Sequence, residues 1–206
     1  MSIIAREGNA GSGYTPIPEG TYLAVCTHLI DLGIQHSEKY DKSAHKVQLG
    51  WEIPVETVEL EGDVVNRVIW GEYTTSLHEK SKLRQILQSW RGRAFSTDEL
   101  GGFDMINILG KPCQVQIIHQ KSADNTKTYA SIAGIMAVPK GTRVKAQGST
   151  IYFDMTEPNT FVLFSLLPEF IKNKIRQAEN YEASGLKGFE DSFASDDAAE
   201  PDRLPF

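Results

Sequence analysis

Lysines occur in two polar segments that are far apart in the chain, residues 31–46 and 120–127, with Tyr40 inside the first and Tyr129 just beyond the second. Ammonium groups neutralise phosphates along a nucleic-acid strand, and each tyrosine ring that stacks on a base contributes on the order of 1–3 kcal/mol. If the fold brings both segments to one surface, their residue types suit a single-stranded nucleic acid. The residues predicted to contact it are Lys39, Tyr40, Lys42 and Lys46 from the first segment, and Lys121, Lys127 and Tyr129 from the second and its edge.

Five segments with the composition or alternation of a β-strand supply the scaffold for these residues. The alternation is clearest at Val47, Leu49, Trp51 and Ile53, and Trp51 is therefore expected in the core. Residues 31–46 show no period of either kind and are predicted to form a long loop. The predicted strands are 21–30, 47–53 with a continuation toward 60, 64–74, 113–119, and 129–138, the last with Ile132, Met136 and Val138 facing inward.

A helix is predicted between the third and fourth strands. Ser76 and Glu79 have the spacing of a capping box, and Gly92 has the position of a helix stop. Apolar residues follow at helical spacing between them, so Trp90 is expected on the buried face. A second capping pattern, Ser96-Thr-Asp-Glu99, predicts one further short turn.

The order of these elements is that of the OB-fold, a five-stranded Greek-key barrel with a helix between strands three and four. A generic α+β sandwich would give a similar order. The predicted fold class is mainly β with some helix, and residues 16–140 are predicted to form an OB-fold nucleic-acid-binding domain. Outside it we expect a flexible arm at 1–15, a partly helical extension packed on the barrel at 141–188, and a disordered acidic tail at 189–206.

The orientation of the third predicted strand decides which of its residues line the binding groove. On an OB-fold the groove crosses strands two and three, between the loops that join strands one to two and four to five. Both faces of residues 64–74 carry apolar side chains, so the sequence leaves the orientation of this strand open. Arg67 and Tyr73 share one face and line the groove if Val68 and Trp70 point inward.

Motifs for catalysis or metal binding are absent from the sequence. The five histidines are scattered without zinc-ligand spacing, and Gly110-Lys111 lacks the other residues of a phosphate loop. Cys26 and Cys113 lie within apolar alternations and are predicted to be buried, reduced thiols, as in a cytoplasmic protein. We therefore predict no enzymatic activity, no cofactor and no metal site. A nuclease that gathers scattered carboxylates around magnesium stays as an alternative.

The C-terminal segment holds most of the net charge. Six acidic and two basic residues stand between Lys187 and Phe206, which accounts for −4 of the chain's −6. The rest of the chain is nearly balanced, so net charge does not oppose local contacts with phosphates. The segment is either a solvating tail or, because acids precede an apolar ending, a docking peptide for a protein. The predicted partner contacts are Asp196, Asp197, Asp202, Leu204, Pro205 and Phe206.

Two resemblances become visible at this point. The ending Asp202-Arg-Leu-Pro-Phe206 resembles the tail of bacterial single-stranded DNA-binding proteins, which ends in acids followed by Ile-Pro-Phe, although Arg203 replaces an acid and Leu204 replaces Ile. Residues 16–140 are similar to a family of bacteriophage single-stranded DNA-binding proteins. This resemblance implies an OB-fold protein that coats single strands during phage replication or recombination. The stretches that carry it are residues 20–35, Leu49-Gly-Trp-Glu-Ile-Pro54, residues 80–90, and Leu109-Gly-Lys-Pro-Cys-Gln-Val115.

These features together predict non-catalytic binding and protection of single-stranded DNA in replication, recombination or repair, with the tail recruiting replication or recombination proteins. An OB-like module that binds a protein instead of DNA is the first alternative, and a metal-dependent nuclease is the second. The sequence has no bilayer-spanning apolar run and no signal-peptide pattern, so the expected location is the cytoplasm, that of the host cell if the protein is phage-encoded. Homo-oligomers and cooperative assembly on DNA are both compatible with the sequence.

Overall fold

A curled antiparallel sheet of five strands, in the order β3-β2-β1-β4-β5, forms a half-barrel. The computed structural model describes residues 15–60 and 62–196. A short sixth strand pairs in parallel with β1. The strands are β1 Gly20–Ser37, β2 Lys42–Leu60, β3 Asp63–Thr74, β4 Pro112–Lys121, β5 Thr128–Met136 and β6 Ile151–Phe153.

The helices lie in two groups. The first group joins β3 to β4, which confirms the predicted order of three strands, a helix and two strands. The second group follows β6, where Pro168 separates a 3₁₀ helix from an α-helix. The helices are α1 Lys82–Arg91, α2 Thr97–Gly101, a 3₁₀ helix at Met105–Ile108, a second 3₁₀ helix at Pro158–Leu166, α3 Glu169–Arg176 and α4 Leu186–Asp196.

The prediction of a long loop at residues 31–46 is wrong. β1 continues to Ser37 and β2 begins at Lys42, so these residues form a hairpin arm with a short turn. The register of the pair shifts between Asp31 and Gly33, and Gly33 has a φ of 69°, a conformation that favours glycine. This bulge breaks the alternation of side chains along the strand, which is why the sequence shows no β period here.

The start of α1 also differs from the prediction. Ser81, not Ser76, caps the helix, since its Oγ accepts a hydrogen bond from the backbone N–H of Arg84 at 3.1 Å. Ser76 instead accepts from the N–H of His78 in the preceding turn. The end of the helix is as predicted, with Gly92 in the left-handed conformation, and the capping box at residues 96–99 is confirmed.

The inward face of β5 is only partly as predicted. Ile132 packs against the core, but Met136 is exposed and Ile135 is buried in its place. Gln116 pairs with Gly134 while Ile117 pairs with Ile132, so Ala133 is an extra residue on β5. The bulge moves every later side chain of the strand to the opposite face.

β1 separates two hydrophobic clusters because its side chains alternate between them. One cluster lies between the sheet and α1 and contains Trp51 and Trp90, both buried as predicted. Cys26 and Cys113 are buried free thiols in this cluster, and burial raises the pKa of the Cys26 thiol to about 12. The other cluster joins Ile30 of β1 to β6 and the helices that follow it.

The expected disorder from residue 189 onward is wrong for its first part. α4 continues to Asp196 and packs on the body through an aromatic pair, Phe189 and Phe161, with ring centroids 5.6 Å apart. Glu190 accepts a hydrogen bond from Arg176 at 2.7 Å. These contacts order the beginning of the segment. Residues 197–206, with the predicted contacts Asp197, Asp202, Leu204, Pro205 and Phe206, lie outside the described residues, as does the arm up to residue 14.

Candidate nucleic-acid interface

The tip of the β1–β2 arm presents a cation and an aromatic ring together. Tyr40 is 66% exposed, and the Nζ atom of Lys39 lies 5.3 Å from the centroid of its ring. Lys42, the first residue of β2, is exposed beside them. A chain of phosphates can therefore reach two ammonium groups while a base reaches the tyrosine ring.

The C-terminal extension supports this arm. The backbone N–H of Ile34 donates to Oδ1 of Asn180 at 2.7 Å, and the carbonyl of Ile34 accepts from the N–H of Glu179 at 2.9 Å. Ser43 on the opposite strand donates to the Glu179 carboxylate at 2.6 Å. The arm is thus attached at its middle, while its tip carries the exposed residues.

Lys46 has a different environment from the other predicted lysines. Its Nζ atom forms an ion pair with Glu72 of β3 at 2.7 Å, and Lys174 of α3 contacts the same carboxylate. Burial alone would raise the pKa of Glu72, but the hydrogen bonds from Lys174 and Lys46 reverse the direction and lower it. A phosphate would have to compete with Glu72 for Lys46.

The prediction that Tyr73 lines a groove is wrong. Its side chain is only 4% exposed and its ring packs edge-on against Trp51, with centroids 6.2 Å apart. Ile69 and Tyr73 form the inward face of β3, so the condition that Val68 and Trp70 point inward is not met. Trp70 packs on the opposite side of the sheet, against His28 and Phe170.

Arg67 of β3 is hydrogen-bonded to the segment that precedes β1. It stands on the same face of β3 as Ile69, and its guanidinium donates a hydrogen bond to the backbone carbonyl of Thr15. Arg67 is therefore partly engaged by the segment that leads into β1. It does not lie at either hairpin tip that carries the lysines.

The β4–β5 hairpin carries the second group of predicted residues. Lys121 pairs with Thr128 directly next to the turn, and Lys127 is exposed within the turn. Tyr129 is 43% exposed. The turn is tied by Asp124, whose pKa falls to about 2 because Ser122 and Thr126 donate hydrogen bonds to its carboxylate. The tip is therefore a fixed platform with two cations.

The two hairpins belong to the same curled sheet and are joined through its central strand β1. They point from opposite ends of β1, since β1 pairs with β4 near Gly20 and turns into β2 after Ser37. β3 and β5 are the two edges of the sheet, and a cleft of about 210 Å³ lies between them. Its lining includes Glu72, Lys82 and Gln120. Glu72, the partner of Lys46, is one of the residues that line this cleft.

Lys80 and Lys82 are cleft residues that the sequence reasoning missed. Both line a second depression of about 450 Å³ next to the end of β3, and Lys82 also lines the cleft between β3 and β5. The mistaken helix start at Ser76 assigned both lysines to a helix surface. With Ser81 as the N-cap, Lys80 lies in the turn before the helix and Lys82 is the first helical residue.

A half-buried histidine near the middle of β1 makes the fold sensitive to acid. Burial lowers the pKa of His28 to about 4, against a weaker opposing effect of Glu52. Because the unfolded chain binds the proton near pH 6.5, stability is complete above that pH and falls as the pH decreases toward 4. We expect His28→Gln to flatten the pH dependence of the free energy of unfolding in this window by the slope of one proton. Urea titrations between pH 4 and 7 measure it, and an unchanged slope would contradict the assignment.

Carboxylates and histidines do not gather into a metal centre in the described ranges. Among residues 15–60 and 62–196, no group of three or more His, Cys, Asp or Glu side chains is placed to hold a metal ion. The same part of the chain contains no helix long and apolar enough to cross a membrane.

Comparison with known proteins gives no assignment for this chain. No model of a protein family matches it, and no curated protein matches it. The arrangement of charge and aromatic rings on the half-barrel therefore carries the functional argument.

Proposed function

We propose that the protein binds single-stranded DNA without catalysing a reaction, and that its half-barrel is an OB-fold. The support for the fold is the strand order β3-β2-β1-β4-β5 together with the helix between the third and fourth strands. The long β1, which pairs with both β2 and β4, is also typical of that fold. On such a barrel the nucleic acid crosses the sheet between the two hairpins.

The observation that carries the proposal is the pair of hairpin tips, each with exposed lysine and tyrosine. One tip offers Lys39, Tyr40 and Lys42, and the other offers Lys127 and Tyr129. Two such platforms on either side of a cleft hold a flexible polyanion at two points without reading its bases. Base stacking tolerates any sequence because every base has an aromatic face.

The overall negative charge is compatible with this function. Binding to a polyanion depends on the phosphates that are neutralised locally, and salt dependence reports their number. Several acidic side chains of the described body are compensated by ion pairs, as Glu72, Glu99 and Glu190 are. The lysines at the tips are outside these pairs among the described residues.

We expect Lys42→Ala to flatten the salt dependence of DNA binding. If Lys42 neutralises one phosphate, the slope of the logarithm of the association constant against the logarithm of salt concentration decreases by about 0.7–1 unit. Anisotropy titrations of labelled oligo-dT at several salt concentrations measure the slope. Lys187→Ala is the matched control, since Lys187 is on α4 and pairs with Glu182 at 2.8 Å. Equal slopes for Lys42→Ala and the unchanged protein would remove Lys42 from the interface.

We propose that the acidic C-terminal tail binds partner proteins and is not needed for DNA binding. We expect a chain ending at Asp196, which keeps every described residue, to bind oligo-dT as tightly as the full chain or more tightly. The acidic residues beyond position 196 no longer compete with phosphates for the lysines in this variant. Capture of replication proteins from a host lysate is expected to disappear. Loss of oligo-dT binding on truncation would contradict this account.

A protein-binding role is the second candidate, and a specific surface favours it. Val162, Leu166 and Phe170 are large apolar residues exposed on the second 3₁₀ helix and α3. They stand within nine residues of one another in the sequence, and an exposed patch of large apolar side chains is typical of interaction sites. The oligo-dT titration discriminates the two functions, because a module of this second kind would show no sequence-tolerant DNA binding.

A further inference from the structure

A cavity of about 730 Å³ lies away from both hairpin tips, where α1 ends and β4 begins. This volume is within the range of about 300–1,000 Å³ that is usual for small-ligand sites. The walls come from the end of α1, from α2, from the first 3₁₀ helix and from the residues after β5. Its lining includes Trp90, Arg91, Arg93, Phe103, Lys111 and Val138.

Arg91 is held rigidly in the cavity wall. Its guanidinium carbon lies 4.4 Å from the ring centroid of Phe95 and 5.2 Å from that of Phe103. One of its nitrogens, Nη2, donates to Glu99, while Nη1 is buried and has no hydrogen-bond partner among the described residues. A buried N–H without an acceptor is destabilising, so an acceptor at this position would be favourable.

The charges around the cavity leave one positive charge uncompensated. Arg91 and Arg93 share the single carboxylate of Glu99, and this sharing lowers the pKa of Glu99 to about 2, chiefly through the hydrogen bond from Arg93. Lys111 is exposed and has no ion pair within the described ranges. Asp104 is the second carboxylate, and one of its oxygens accepts from the N–H of Ile106 at 2.9 Å. Three cations against two carboxylates suit a ligand with one negative charge.

The remaining wall suits a flat apolar group. The Trp90 indole is fixed because its Nε1–H donates to the carbonyl of Pro112 at 2.8 Å. Phe103 packs edge-on against Phe95, with ring centroids 5.3 Å apart. Ile108 and Val138 complete this side of the cavity. An aromatic ring of a ligand would pack against Trp90 and Phe103 in an edge-on or offset arrangement, which aromatic pairs prefer.

We propose that this cavity is a binding site for a small monocarboxylate with an aromatic body. The carboxylate contacts the exposed cations Arg93 and Lys111, with Arg91 behind them, and the ring lies against Trp90 and Phe103. Both Nη atoms of Arg93 already donate to Glu99, so the ligand carboxylate meets the remaining N–H groups of Arg93 and the ammonium group of Lys111. The single excess positive charge favours a carboxylate over a phosphate dianion.

The site is independent of the proposed DNA interface. Lys111 and Pro112 stand at the beginning of β4, whereas Lys121 of the second hairpin stands at its other end. Ligand binding at the cavity therefore neither requires nor excludes DNA binding at the tips.

The test is a titration of the ¹⁵N-labelled full chain with N-acetylphenylalanine. Binding is monitored by NMR through the indole N–H signal of Trp90. We expect saturable shifts of that signal, and at least tenfold weaker binding of N-acetylphenylalanine amide, which has the same ring without the charge. Lys111→Met should weaken carboxylate binding at least fivefold. Lys187→Met, a matched change on α4 outside both sites, should leave it unchanged.

Three results would overturn the proposal. Equal binding of the acid and the amide would show that the cations do not recognise the ligand. No shift of the Trp90 signal at millimolar probe would show that the cavity does not bind this class. Tighter binding of thymidine monophosphate than of the carboxylate would make the cavity a nucleotide site instead.

Discussion

Replacing both Tyr40 and Tyr129 by alanine is expected to weaken oligo-dT binding by about 2–6 kcal/mol, which is a loss of at least about thirtyfold. Each ring contributes one stack of about 1–3 kcal/mol in the proposed complex. Both side chains are substantially exposed, so the alanine variants should remain folded. Anisotropy titration at constant salt measures the loss, and circular dichroism checks the fold.

The matched control is the double change to phenylalanine, which keeps both rings and removes only the hydroxyl groups. We expect its affinity to stay within about threefold of the unchanged protein, because stacking uses the ring faces. If the double alanine variant binds as tightly as the unchanged protein, the tyrosines do not stack on bases. If the phenylalanine variant loses as much as the alanine variant, the hydroxyl groups rather than the rings make the contact.

The two tyrosines should also act independently. They belong to hairpins that point from opposite ends of β1, so the two rings stand at distant sites on the sheet. Free-energy changes at distant sites add within about 0.3–0.5 kcal/mol. A double-mutant cycle that departs strongly from additivity would mean that the same nucleotide of the bound DNA contacts both rings.

The second large effect concerns stability, and Phe153→Ala is expected to lower the free energy of unfolding by about 3–5 kcal/mol. Phe153 is fully buried in β6, where it pairs in parallel with Ile30 of β1. Its ring packs against Phe164, with centroids 5.8 Å apart. Removing it leaves a cavity between the sheet and the C-terminal extension.

Urea unfolding followed by tryptophan fluorescence measures this change. Val162→Ala in the neighbouring 3₁₀ helix is the control, because Val162 is 59% exposed and should change stability by less than about 0.5 kcal/mol. A Phe153→Ala protein as stable as the control would mean that the extension does not fold together with the sheet. In that case the support it gives to the β1–β2 arm would also be in doubt.

The order of the elements was predictable because each has a local signal. Alternation marks β2 through Trp51, and Gly92 and the capping box at Ser96 mark the ends of helices. The β1–β2 arm was not predictable, because it depends on partners distant in sequence. Ile34 bonds to Asn180, which is 146 residues away. A bulge at Gly33 also removes the local β period.

For the candidate site, the exposed residues of the turns were predictable from the sequence, and the environments of residues within the sheet were not. Lysine and tyrosine at a turn are exposed wherever the turn lies, so Tyr40 and Lys127 are accessible as expected. Tyr73 and Lys46 depend instead on which face of β3 is inward and on the partner across the sheet. Ile69 and Glu72 decide these two environments, and neither residue signals that role in the sequence.

The most direct test of the proposed function is the titration of labelled oligo-dT with the full-length protein at two salt concentrations. The proposal predicts binding at micromolar concentration or below at low salt. For three to five neutralised phosphates it also predicts a log–log salt slope of about −2 to −4. Binding should be nearly the same for other single-stranded sequences. Absence of binding at low salt, or an affinity that does not change with salt, would contradict the proposal.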